Sequence, residues 1–257
     1  MHKVGIALSG GGTRGMVHIG VLQALEDNGI MPSIVSGTSA GSIVGALYAN
    51  GYSPKEILDI SGEQNLLRMF SLKIPNSGFA RHSLLRKMLK QHIPEDSFDK
   101  LKKPLHVAIA NLNTGKTEII SSGPLSEVIV ASSSIPVLYE PIKIGDCWYA
   151  DGGLLMNLPL SPIRPLTSYL IAVNLIPRTK VDSDEVNTII GVAARSFSLA
   201  AINTIEPELK FCDILIEPEE ISHYSRFNFK NIREMYDIGY KETTKVMSKI
   251  KEDLDKI

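Results

Sequence analysis

An α/β domain built from parallel strand–helix units is the fold this sequence predicts, and three observations predict it. Short apolar runs and helix-like runs alternate from the first residues onward. A glycine loop, Gly10-Gly11-Gly12-Thr13-Arg14-Gly15, separates the first apolar run from the first helix-like run. A Gly-x-Ser-x-Gly pentapeptide, Gly37-Thr38-Ser39-Ala40-Gly41, separates the second pair in the same way. The 257 residues, 44% of them hydrophobic and 21% charged, suffice for a substantial core. With neither a repeat nor a low-complexity tract, one domain over 1–257 is the expectation.

The elements follow in order. Residues 4–8 read as a strand, 15–28 as a helix stopped by Gly29, and 34–36 as a second strand leading through the pentapeptide into a helix over 42–50. Ser53-Pro54-Lys55-Glu56 supplies a cap, a proline at the first helical position and a glutamate three residues on, so a further helix starts there. Residues 63–104 show no strand pattern and read as an inserted helical cap. Within it no acidic residue falls between Gln64 and Pro94, whereas Arg68, Lys73, Arg81, Arg86, Lys87 and Lys90 are basic. Residues 105–112 and 116–121 resemble a hairpin around Asn113-Thr114-Gly115. A helix over 124–132 and strands over 142–149 and 169–175 follow. A helix over 185–204, a strand over 213–216 and a terminal amphipathic helix carrying Tyr236, Tyr240, Met247, Ile250 and Leu254 complete the chain.

Bulk composition narrows the function. A formal net charge of −1 argues against a nucleic-acid binder, which normally carries a basic excess. Cys147 and Cys212 form neither a CxxC nor a zinc ligand set and read as free thiols of a reducing compartment. The apolar stretch at 4–8 is too short for a signal peptide, and no run approaches the ~20 residues a membrane-crossing helix needs. A cytoplasmic protein with at most peripheral membrane contact is expected.

The pentapeptide between strand and helix has the form of a nucleophile elbow. Gly37 and Gly41 permit a turn too tight for side chains, and that turn lifts the Ser39 hydroxyl clear of the sheet at a helix N-terminus. The glycine loop also satisfies the dinucleotide fingerprint, which would make the protein a nucleotide-dependent oxidoreductase. That fingerprint needs an acidic residue about 20 positions on for the ribose, and Ile34-Val35-Ser36-Gly37-Thr38-Ser39 contains none. A P-loop is excluded because Gly-Lys-Ser/Thr is missing. Beside an activated serine, the outward-pointing amides of the loop would form an oxyanion hole.

Ser39 also needs a base. Of six histidines only His223 fits the serine–acid–histidine order of α/β-hydrolases, and its polar surroundings read more naturally as an exposed loop. Asp151-Gly152-Gly153 follows an apolar run. Its glycines would let the aspartate turn back into a cleft, although Asp-Gly is equally a common surface turn. A carboxyl with a solution pKa near 3.9 is a weak base, which burial beside Trp148 or Tyr149 would improve.

The three motifs occur in the order and approximate spacing of the patatin-like phospholipases. Ala131-Ser132-Ser133-Ser134-Ile135-Pro136, Tyr139-Glu140-Pro141 and Tyr236-Asp237-Ile238-Gly239-Tyr240 also resemble segments of that family. The similarity thus runs through nearly the whole chain, and the short length resembles the compact bacterial members. The resemblance implies a three-layer α/β/α sandwich around a mainly parallel sheet and a Ser–Asp dyad, with Ser39 as nucleophile and Asp151 as general base. It also implies an oxyanion hole from the loop Gly10, Gly11 and Gly12 that Arg14 helps to order, with Gly15, Gly37, Gly41, Gly152 and Gly153 as motif glycines. The activity implied is hydrolysis of phospholipid or lysophospholipid acyl esters through an acyl-serine, with no metal and no cofactor. Acyl transfer through the same intermediate, or a non-catalytic signalling protein with this fold, are the other readings. Residues 64–94 add one more expectation. Ser83 could cap a helix with Leu84, Leu85, Met88 and Leu89 on one side and Arg86, Lys87 and Lys90 on the other, a pattern that suits contact with anionic membrane or, more commonly, packing of the apolar side on the sheet with the charges in water.

Overall fold

The computed structural model describes residues 3–62, 78–226 and 230–257. An eight-stranded mixed sheet carries the fold. Strands β1 (Val4–Leu8), β2 (Ile34–Gly37), β7 (Tyr169–Val173) and β8 (Ile214–Ile216) run parallel with the start of β3 (Leu105–Asn111), in the order β3-β2-β1-β7-β8. The hairpin partner β4 (Lys116–Ile120) and β6 (Cys147–Asp151) both pair antiparallel with β3, and β5 (Ile142–Ile144) pairs antiparallel with β6. Helices are α1 (Met16–Asp27), α2 (Ala40–Asn50), α3 (Pro54–Ser61), α4 (Gly78–His92), α5 (Leu125–Ser132), α6 (Ile189–Ile205) and α7 (Ile232–Leu254).

The period of two along each strand divides the core in two. Val4, Ile6 and Leu8 of β1 and Ile171 and Val173 of β7 point into one large cluster, with buried residues of α1, α2, α3, α4, α5 and α7. Ala7, Leu170 and Ala172 point to the opposite face, where Leu158, Leu160, Ile163 and Ile205 of α6 cover them. Helices and loops therefore cover both faces, as buried parallel strands require. The N-terminus of α3 carries the capping box read from Ser53 and Glu56. Helices α1 and α7 approach by backbone: a Cβ on Gly20 would collide with the Tyr236 carbonyl, and one on Gly239 with the Val17 carbonyl.

Three sequence expectations need correction. The single strand over 142–149 is a tight hairpin, β5 and β6, turning at Gly145 with φ of +60°. Ser83 does not cap a helix, because α4 already begins at Gly78 and Ser83 lies within it. The long helix over 185–204 is a 3-10 turn, Ser183–Val186, followed by α6, whose cap is Thr188 accepting from the Gly191 amide at 3.0 Å. The apolar side of α4 faces inward: Leu85, Met88 and Leu89 are buried in the large cluster. Arg86 grips Glu127 of α5 through two bonds of 2.7 and 2.8 Å, while Lys87 and Lys90 are exposed. The rest of the expected cap, 63–77, lies outside the described residues.

The α1–α7 contact has a direct test. Gly239→Ala forces a methyl against the Val17 carbonyl and should lower stability by about 1–3 kcal/mol, read as a lower urea midpoint at unchanged slope. An unchanged midpoint would mean that the two helices separate at no cost.

Candidate active site

Two strands share one edge of β3. Because β4 pairs with Val107 through Asn111 on one edge, β2 and β6 must both use the other. The parallel β2 ends there with Gly37 opposite Val107, and the antiparallel β6 ends with Asp151 opposite Ile109. They meet end to end, two residues apart along β3, so the chain segments leaving each are thrown together. Gly152 shows how closely: a Cβ there would collide with the Ala108 carbonyl and lie 3.0 Å from Thr38 Cγ2.

Ser39 sits at the turn from β2 into α2 with φ 52° and ψ −122°, a conformation that costs a non-glycine residue of order 1–3 kcal/mol. The turn closes because Gly41 packs on β1, where a Cβ would strike the Leu8 carbonyl. The Ser39 amide donates to Ser132 Oγ at 2.9 Å, and the Ser132 hydroxyl donates in turn to the Ala108 carbonyl of β3 at 2.8 Å. A wholly buried hydroxyl on α5 thus ties the strained turn to the strand that β2 and β6 share.

Asp151 is 1% exposed. Its amide donates to the Ser134 carbonyl at 2.9 Å, and its Oδ1 accepts the Gly153 amide at 2.8 Å. Burial pushes the carboxyl up to about 7, against the opposing pull of the Ser39 hydroxyl and the Gly153 amide. The hydroxyl lies near enough to favour the carboxylate, yet Oδ2 is buried without a well-aligned hydrogen-bond partner. Ser39 and Asp151 thus lie side by side without a well-aligned hydrogen bond between them. The apolar surroundings are Ile135, Leu138 and Phe197, which line the same pocket. Trp148 is 45% exposed and shields nothing, while the Tyr149 hydroxyl is engaged by Glu118 at 3.0 Å.

Gly10, Gly11 and Gly12 line this pocket with Ser39 and Asp151. The Gly10 amide is spent on the Asn157 carbonyl at 3.2 Å, the Thr13 amide on the Arg226 carbonyl at 3.0 Å and the Arg14 amide on the Gly11 carbonyl at 3.3 Å. Among the described residues the amides of Gly11 and Gly12 have no such partner, which leaves two of the three expected donors. The Arg14 side chain does not line the pocket. Its guanidinium donates to the carbonyls of Tyr224, Leu175 and Ser222 at 2.9, 3.2 and 3.0 Å, clamping the 222–226 segment over the loop. Gly15 packs on the start of α2, 3.0 Å from Ala40 Cβ if given a Cβ, so loop and elbow move as one.

His223 is exposed and lines neighbouring cavities, apart from Ser39. His18 is fully buried against the Ser9 carbonyl at 2.8 Å, and burial pushes it down to about 4. No histidine lines the pocket among its described residues. Two participants were not read from the sequence. Asn157 lines the pocket at 2% exposure with its Nδ2 buried and unpartnered, and Ser132 holds the elbow. The serine run at 132–134 was a visible signal; Asn157, six residues past Asp151, offered none. The described residues contain no group of three or more metal-ligating side chains and no helix long and apolar enough to cross a membrane. Space for small molecules in the pocket is about 30 Å³, so a substrate must push its walls apart.

Residues 6–163 match a family model described as patatin-like phospholipase. Lysophospholipase NTE1 of Scheffersomyces stipitis is 27% identical over 278 residues, covering 95% of this chain and 18% of that protein. An uncharacterized NTE family protein of Mycobacterium bovis is 31% identical over 180 residues, covering 67% of this chain and 49% of the relative. This chain therefore spans less than half the length of either. Among solved structures, VipD from Legionella pneumophila superposes with a TM-score of 0.62 at 16% identity, covering 96% of this chain and 67% of that one, a likeness of fold.

Removing the Ser132 hydroxyl tests the brace. Ser132→Ala leaves the Ser39 amide and the Ala108 carbonyl without their shared partner, and should cost about 1–3 kcal/mol in urea unfolding. Any ester turnover should fall in kcat more than it changes in KM, since the Ser39 turn loses its anchor; equal stability and kcat would show the brace to be idle.

Proposed function

Because the chain belongs to the patatin-like phospholipase family, a family of lipid-ester hydrolases, we propose that it is a serine acyl hydrolase acting through a Ser39–Asp151 dyad. The observation that carries this reading is the strained Ser39 elbow beside a buried carboxyl and two unspent amides in one pocket. The Ser39 oxygen attacks the ester carbonyl carbon while the Asp151 carboxylate takes the hydroxyl proton. The tetrahedral oxyanion is held by the Gly11 and Gly12 amides, donors of a kind worth ~3–4 kcal/mol each in the transition state. Collapse breaks the bond to the alcohol, which leaves with the proton from Asp151. Water then attacks the acyl-serine, Asp151 again serving as base, and the fatty acid departs from a regenerated serine.

A carboxyl pushed up to about 7 suits this cycle, because it accepts a proton far more readily than one near 3.9 and returns it to the leaving alcohol. Relatives named lysophospholipase make single-chain phospholipids the first substrates to try. Peripheral contact with anionic lipid through 64–94 remains part of the reading. In α4 it would rest on the exposed Lys87 and Lys90, since the apolar side is occupied by the core. Free Cys147 and Cys212 accord with a cytoplasmic site of action.

The test is a panel of p-nitrophenyl esters, lysophospholipid, diacyl phospholipid and acyl-CoA run on three proteins. Wild type should turn over at least one ester, Ser39→Ala none, and Asp151→Asn should lose about 10²–10⁴-fold in kcat. Full activity in Asp151→Asn would refute the dyad.

A further inference from the structure

Ser39 and Asp151 are each held by a serine of one run. Ser132 Oγ accepts the Ser39 amide at 2.9 Å, and the Ser134 carbonyl accepts the Asp151 amide at 2.9 Å. Ser134 is in turn held from outside the pocket, because its hydroxyl oxygen lies 3.1 Å from Nε2 of His82 on α4. No residue of α4 is among the described lining of the pocket, yet this contact ties the helix to the strand end that carries the carboxyl. We propose that His82 is a positioning residue for Asp151: by holding Ser134 it lets the seating of α4 set the alignment of the general base.

The direction of each bond follows from the protons available. The single Ser134 hydroxyl proton goes to the Val130 carbonyl at 2.7 Å, so Oγ accepts from His82 and Nε2 carries the imidazole proton. His82 is itself buried. That burial, with the Arg86 cation one turn along α4, pushes it down to about 4 against the pull of Glu127, so the ring is neutral at neutral pH. It therefore acts as a directional donor and brings no charge to the wall behind Asp151. The ring also packs on Tyr139, with centroids 6.0 Å apart, in the segment whose Ile135 and Leu138 line the pocket. Arg86 pairs with Glu127 in the first turn of α5, and His82 reaches Ser134 just beyond its last turn, so α4 grips that helix at both ends. Ser134 is buried as well, and water cannot take the place of a lost donor there.

This inference rests on the reading of Asp151 as general base, and its test separates the two. One arm measures kcat and KM on a p-nitrophenyl ester that wild type cleaves. His82→Phe keeps a ring against Tyr139 without the donor, and His82→Gln returns an N–H near the place of Nε2. In His82→Phe, kcat should fall about three- to tenfold with KM within about twofold, and His82→Gln should recover most of that loss. Combining His82→Phe with Ser134→Ala should cost no more than the worse single change, because both remove one contact. Should His82→Phe fail to fold, His82→Asn replaces it, since its amide ends short of Ser134. The other arm follows amide hydrogen exchange at Asp151 by NMR, with Ile6 of β1 as the internal control. Exchange at Asp151 should quicken about tenfold in the donor-less variant and that at Ile6 should not. Unchanged kcat in a folded donor-less variant overturns the proposal, as do losses that add in the double variant. Should wild type cleave no ester, the hydrolase reading falls and the exchange arm decides alone: equal protection of the Asp151 amide with and without the donor overturns the positioning.

Discussion

The end-to-end meeting of β2 and β6 along one edge of β3 is the constraint from which the rest of the site follows. A strand edge offers backbone groups to one partner at each point, so two strands that share it must stop where they meet. Gly37 stops opposite Val107 and Asp151 opposite Ile109, and Ser39 and Asp151, 112 positions apart in the chain, emerge into the same cleft. Ala108, the residue between them on β3, accepts the Ser132 hydroxyl that also holds the Ser39 amide. The nearness of Ser39 and Asp151 is thus a consequence of sheet pairing, with no long side chain needed to bridge a gap.

The site is costly to build, and the costs are of one kind. A non-glycine residue is held at positive φ, a carboxyl oxygen is buried without a partner, and the Asn157 amide nitrogen is also unpaired. Each would favour relaxation if the surroundings were loose. They are tight: Gly41 is packed on β1, Gly15 on α2, and Arg14 ties the glycine loop to the 222–226 segment through the carbonyls of Ser222 and Tyr224 and to the end of β7 through that of Leu175. The same clamp brings Arg226 to the edge of the pocket lined by Ser39 and Asp151, which links the order of the glycine loop to the position of a cation.

Much of this was legible in the amino-acid sequence where the cause is local. The strand–loop–helix units around Gly10–Gly15 and Gly37–Gly41 could be read because apolar runs and glycine turns are properties of neighbouring residues. Ser39 could be named for the same reason. Asp151 stood level with a surface turn until the family resemblance favoured it, because what brings it beside Ser39 is pairing with Ile109 of β3, 42 residues away in the chain. The run 142–149 was misread since a two-residue turn at Gly145 interrupts an apolar pattern too short to reveal it. Ser83 looked like a cap because capping chemistry is the same at any serine, and only the helix start at Gly78 shows otherwise. The source of Asp151's burial was also illegible: the adjacent Trp148 points to solvent, and Phe197 arrives from a helix far along the chain.

The most direct test of the account is the pH dependence of covalent labelling at Ser39 by a fluorophosphonate, with the modified residue located by peptide mass. A carboxyl held up at about 7 is protonated and idle as a base below that pH, and becomes a proton acceptor above it. The labelling rate at Ser39 should therefore climb through an apparent pKa near 7 in wild type and lose that climb in Asp151→Asn. Labelling at another serine, or a rate at Ser39 with the same pH profile in both proteins, would contradict it.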